Sequence, residues 1–188
     1  MPLDPLVQQA MARWPNVPAV YGWLRLDRRG RWWLIDRGAP SFDEARDGLG
    51  SPITSPPIID FISRNYQSDE QGRWSWQNGP QRVYVDLDLA PLYLRVLGES
   101  PRQTLVTHTG EPVQRVHEVR LDACDQLWLR TELGPAVIDD RDLAALDLDL
   151  SEDPALAQVG TLRLLGTHAV KRLLGQASEV LGFVARPR

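Results

Sequence analysis

An α+β fold is what this sequence predicts, with antiparallel hairpins forming one or two sheets and a few helices packed against them. Three observations carry that expectation. Asn78-Gly79 stands between the apolar runs Arg73–Gln77 and Gln81–Leu87, the strongest short-range hairpin signal there is. A second glycine-bearing turn, Asp27-Arg28-Arg29-Gly30, separates Tyr21–Leu26 from Arg31–Ile35. Finally, prolines open two amphipathic stretches, at Asp4-Pro5 and Pro56-Pro57, as helix starts do.

In chain order, Asp4 caps a first helix whose Leu6, Val7, Ala10, Met11 and Trp14 share a face, and Pro15 ends it. The first hairpin follows. Residues 37–55 are rich in Gly, Pro, Ser and Asp without a period, so they read as a long surface loop. Thr54 or Ser55 then caps a helix with Ile58, Ile59, Ile62 and Tyr66 as its stripe. Pro80, next to Asn78-Gly79, lacks a ladder donor and points to a longer, non-standard turn. Short strands are expected at Leu92–Leu97, Gln103–Thr107, Glu118–Asp122, Gln126–Thr131 and Ala136–Ile138, and short helices at Asp140–Leu146 and Pro154–Gln158. Thr161–Leu165 and His168–Leu173 read as a last hairpin, although the leucine-rich 164–174 stretch also fits a helix.

The domain organisation expected is an N-terminal half at 1–100 and a β-rich C-terminal half at 101–188, packed as one unit. Leu24-Arg25-Leu26-Asp27 followed by Trp33-Leu34 recurs as Val119-Arg120-Leu121-Asp122 followed by Trp128-Leu129. That pairing raises two hairpin–helix–hairpin repeats, against the plainer reading that solvent-edged hairpins share such a pattern.

Composition narrows the classes. Cys124 is the only cysteine, which rules out an internal disulfide and a cysteine-based zinc site within one chain. The start Met-Pro-Leu-Asp-Pro lacks a basic and apolar leader, and no apolar run reaches membrane length, so a cytoplasmic protein with no membrane partner is expected. The net charge is −4, with basic ends around an acidic middle. That distribution argues against a nucleic-acid binder using one continuous basic face.

The candidate site is the aromatic hairpin. Trp74 and Trp76 point to one face, while Gln77, Asn78, Gln81 and Arg82 crowd the tip, with Tyr84 beside them. Such a tip suits a small-molecule or peptide groove of a non-catalytic binding or regulatory module, Arg82 supplying a bidentate donor. The competing reading is that the tryptophans are core and Arg82 pairs with Asp86 or Asp69. A small enzyme using His108 with Asp86 or Asp139 is the alternative, and single-stranded nucleic-acid binding at Trp23, Trp32, Trp33 and the arginines 25, 28, 29 and 31 the third. Asp139-Asp140-Arg141-Asp142 is a possible cation cluster but reads better as a capped helix start. His108, His117 and His168 lack metal-ligand spacing, and no phosphate loop or dinucleotide fingerprint occurs, so neither metal nor cofactor is expected.

The segments Trp14–Pro18, Tyr21–Leu24, Phe61–Tyr66, Gln77–Val85, Asp139–Leu143 and Gly182–Pro187 together resemble an uncharacterised proteobacterial family, a domain of unknown function. The Gln77-Asn78-Gly79-Pro80-Gln81-Arg82 stretch is the most specific part. The resemblance implies a bacterial cytoplasmic protein and brings no activity, cofactor or partner with it.

Overall fold

A computed structural model describes residues 3–150 and 158–188. It is mostly β-sheet with a few short helices, consistent with α+β, and it divides into two compact units. The first comprises residues 1–89 with the tail 183–188, and the second comprises residues 90–182.

In the first unit, helix α1 (Pro5–Arg13) is capped by Asp4, whose carboxylate accepts from the Leu6 N–H. Of its predicted face only Val7 is buried, and Leu6 is 74% exposed. Strands β1 (Val20–Leu26) and β2 (Trp32–Leu34) form the first hairpin. The 37–55 stretch is not a plain loop. It holds helix α2 (Glu44–Asp47), capped by Asp43, and the edge strand β3 (Ser51–Pro52). Both are too short to show a period. Arg37 anchors the stretch by donating to the Gly22 carbonyl and to Glu44. Helix α3 (Pro56–Arg64) stops earlier than its stripe suggested, because Tyr66 already begins β4 (Tyr66–Ser68).

The second hairpin is β5 (Trp74–Asn78) and β6 (Gln81–Leu87), and Asn78 pairs with Gln81. The turn is therefore Gly79-Pro80, a tight two-residue connection, not the longer loop expected. Gly79 takes φ +56° at the first central position, which the primed turns demand. Pro80 lies outside the ladder and removes no bond from it. The sheet order is β3-β2-β1-β6-β5-β4, with β1 and β6 parallel. The tail closes the unit: the Leu87 N–H donates to the Ala185 carbonyl and the Val184 N–H to that of Gly72. Arg188 and Arg186 pair with Asp86, which is only 4% exposed.

The second unit begins with β7 (Leu92–Leu97), β8 (Thr104–Thr107) and β9 (Pro112–Val113). It continues through β10 (Val116–Leu121), β11 (Leu127–Thr131), β12 (Gly134–Ile138), a 3-10 turn (Asp140–Ala145), β13 (Asp147–Leu150), β14 (Gln158–Arg163), β15 (Thr167–Arg172) and helix α4 (Ala177–Leu181). The sheet order is β13-β14-β15-β10-β11-β12-β7-β8-β9, with β10 parallel to β15. The leucine-rich 164–174 stretch is thus hairpin rather than helix. The helix expected at Pro154–Gln158 falls outside the described residues, except that Gln158 starts β14.

One local device appears in both units. The Asp27 carboxylate accepts from the backbone N–H groups of Arg29 and Arg31 and from the Trp33 indole. Asp122 accepts in the same way from Cys124, Gln126 and the Trp128 indole. Each carboxylate ties a strand end to the turn and to the returning tryptophan. Burial pushes the Asp27 carboxyl up, but these bonds and the Arg31 guanidinium outweigh it and hold the group below the usual range.

Candidate functional site

Register sorts the hairpin residues onto two faces, because directly paired residues share a side. Trp76 pairs with Val83 and Asn78 with Gln81, while Ser75 pairs with Tyr84 and Gln77 with Arg82. Trp74, Trp76 and Asn78 therefore share one face, and Gln77, Arg82 and Tyr84 the other.

Trp74 is core: it is 5% exposed and packs at 4.9 Å on Tyr66. Trp76 meets Phe61 of α3 edge-on at 5.9 Å. Beyond it lies a cavity of about 240 Å³ lined by Val20, Trp23, Leu24, Leu34, Trp76, Asn78, Gln81 and Val83. The Trp76 indole N–H is buried and meets no acceptor among the described residues. None of the lining side chains is ionisable. An apolar cleft with a few convergent polar groups is the usual form of a small-molecule site.

The other face is a polar lattice already engaged with itself. Gln77 is buried, donates to the Gly79 carbonyl at 3.1 Å and accepts from Arg82 Nε at 3.5 Å. Tyr84 stacks on Tyr21 at 4.7 Å and donates its hydroxyl to Asp69 at 3.1 Å. The Arg73 guanidinium lies over the Tyr84 ring and pairs with Asp69. Asp69 and Asp86 are thus occupied by other arginines, and Arg82 reaches Gln77 rather than either acid.

Of the seven candidates, the fold brings Trp76, Asn78 and Gln81 to one cavity, buries Trp74 in the core and turns Gln77, Arg82 and Tyr84 away. Val20, Trp23 and Leu34 were not singled out as cavity residues. Val20 joins through the parallel pairing of β1 with β6, where it stands opposite Val83, with an irregularity around Gly22 at φ +71°. Only that positive-φ glycine hints at it locally.

The other expectations resolve on geometry. His108 is half-buried with its Nε2 enclosed, its Nδ1 accepts from the Tyr93 N–H at 3.3 Å, and desolvation of the ring lowers its pKa to about 3. Asp139 accepts from the Arg141 backbone and guanidinium as the cap of the 3-10 turn, and Asp142 takes Arg95. No group of three or more His, Cys, Asp or Glu among the described residues is placed to hold a metal ion. In the first hairpin Trp32 is buried, while Trp33 lies under the guanidinium groups of Arg25 and Arg31. Those arginines are neutralised by Asp88 and Asp27.

The fold and cavity define a two-sheet α+β protein with an aromatic cleft beside a tight hairpin. The chain belongs to a family described as "Protein of unknown function (DUF2946)", whose model matches residues 3–188. That description assigns no activity. No curated protein matches the chain. Among solved structures, a DUF1285 family protein from Silicibacter pomeroyi DSS-3 is similar at 20% identity, with 95% of this chain and 99% of that one covered and a TM-score of 0.53. A DUF1285 family protein from Shewanella baltica OS155 matches at 14% identity over 65% of this chain and 88% of that one, with a TM-score of 0.46. The first likeness speaks to the fold. No helix among the described residues is long and apolar enough to cross a membrane.

Proposed function

We propose that the protein is a non-catalytic binding module of the bacterial cytoplasm whose ligand enters the Trp76 cavity. The observation that carries this reading is a largely apolar cleft whose lining combines Trp23 and Trp76 with the Asn78 and Gln81 amides. Trp74, Gln77, Arg82 and Tyr84 serve the hairpin's own packing. An enzyme built on His108 finds no support: a ring whose pKa burial lowers to about 3 is a poor proton carrier near neutrality. An exposed lone thiol at Cys124 suits a reducing compartment.

The same reading holds the two units to be copies of one ancestral element. Strand order β3-β2-β1-β6-β5-β4 runs parallel to β12-β11-β10-β15-β14-β13 in the second unit. Leu24 pairs with Leu34 and Val85 as Val119 pairs with Leu129 and Val170. The shared Asp–Trp clasp adds a side-chain correspondence.

The cavity is tested by screening small fragments while following the indole N–H resonances of ¹⁵N-labelled protein, Trp76 being assigned with Trp76→Phe. Binders are expected to shift the Trp76 and Trp23 signals in wild type and in Arg82→Ala alike. Binding that depends on Arg82 and leaves Trp76 unmoved would place the site on the opposite face and end this proposal.

A further inference from the structure

Residues 183–188 fill an acceptor in the first unit, and their contacts show what that acceptor reads. The Leu87 N–H donates to the Ala185 carbonyl at 2.8 Å, and the Val184 N–H donates to the Gly72 carbonyl at 2.9 Å. Phe183 is 5% exposed and Pro187 is buried, so apolar side chains anchor both flanks of this short ladder. Arg188 grips Asp86 through both terminal nitrogens, at 2.9 and 3.4 Å. Arg186 reaches Asp86 at 3.6 Å and Asp88 at 3.1 Å. Asp86 is thus a buried carboxylate whose cationic partners come from this segment.

We infer that the acceptor also takes residues 183–188 of a second copy of the chain, so that two copies associate by exchanging the segment. Charge complementarity names the occupant: the acceptor presents two carboxylates, the segment two arginines, and every copy carries both. Exchange therefore remakes each bond and costs no contact. The ties are also detachable. The Arg186 and Arg188 side chains stay 49% and 60% exposed, so water competes for their ion pairs. Finally, the chain enters the segment through Gly182, which stands in open space at φ +78° and forms a joint. Just before it, Arg130 donates to the Val180 and Leu181 carbonyls and fixes the end of α4, so that movement starts at Gly182. The extended segment reaches about 20 Å, which sets the two copies side by side.

The segment acts on its own acceptor at an effective concentration on the order of millimolar, so dilute wild type closes on itself. Exchange is read in two full-length variants that cannot. Arg186→Asp with Arg188→Asp keeps the acceptor but repels its own segment, and Asp86→Arg keeps the segment but spoils its acceptor. In each alone, the β5 and β6 amides should exchange hydrogen on the order of a hundredfold faster than in wild type. Mixed, the ¹⁵N-labelled first variant should regain protection and run as a complex of one copy of each. A mixture as unprotected as its parts overturns the inference when free peptide Gly182–Arg188 protects the first variant, because the acceptor is then intact and refuses only the second copy. Wild type gives a measurement that needs no variant. Refolded at about 1 mM it should yield a dimer that persists on dilution, and at about 1 µM a monomer. That dimer should separate only under conditions that also expose the β5 and β6 amides. Monomer at both concentrations, or a dimer that separates with those amides still protected, overturns the inference whatever the variants do.

Discussion

His108 shows how a single half-buried side chain ties stability to pH. Its Nε2 is enclosed and its Nδ1 accepts from the Tyr93 N–H, and desolvation lowers the folded pKa to about 3 from an ordinary 6.5. Between those values the unfolded chain holds a proton that the folded chain refuses. Stability is therefore complete above about pH 6.5 and is lost as pH falls, by about 1.4 kcal/mol per unit. Urea unfolding of the second unit at pH 7, 6 and 5 would measure this, read by a 5-fluorotryptophan resonance at Trp128, the sole tryptophan of residues 90–182. His108→Gln should flatten the slope, and an equal slope in the variant would exclude His108 as its cause. The histidine was visible in the sequence at the end of a strand. Its burial was not, because that depends on which distant strands cover it.

At the scale of elements, the Asp27 and Asp122 turns permit a controlled comparison. Each carboxylate collects two backbone N–H groups and an indole N–H, and Asp27 also receives the Arg31 guanidinium at 2.7 Å. The matching position beside Asp122 is Gln126, which offers no such charge. Asp27→Ala should cost about 3 kcal/mol and Asp122→Ala about 2 kcal/mol, since charge-assisted bonds are the stronger. Unfolding midpoints of the two variants check the order, and a negligible loss in either would deny the clasp its structural role there. Elements were the most legible level of this chain. Local signals such as Asp27 to Gly30, Asp4-Pro5 and Asn78-Gly79-Pro80 lie within a few residues of what they cause. The turn is shorter than the sequence suggests, because Pro80 reads as a break in the ladder and only the Asn78–Gln81 pairing shows that it sits inside the turn. The cavity was half legible for a related reason: Trp76, Asn78 and Gln81 share one hairpin, whereas Val20, Trp23 and Leu34 arrive through long-range pairing.

The whole molecule depends on contacts of still greater sequence separation. Asp86 is buried and receives Arg186 and Arg188, which lie at the far end of the sequence. Replacing both arginines by alanine leaves a buried carboxylate uncompensated and should cost the first unit about 3 kcal/mol. Adding Asp86→Asn to that variant should recover much of the loss, as hydrogen exchange of the β6 amides would register. No recovery would mean that the arginines act through packing and not through charge.

The tail has a consequence for biosynthesis too. Residues 1–89 are made before 183–188, whose backbone bonds to Gly72 and Leu87 close the same unit and which follow only after the whole second unit has been made. N-terminal domains ordinarily fold first as the chain emerges. In this chain the order of completion is reversed: chains ending at residue 182 and released from the ribosome should hold the second sheet protected from protease while β5 and β6 are still cleavable.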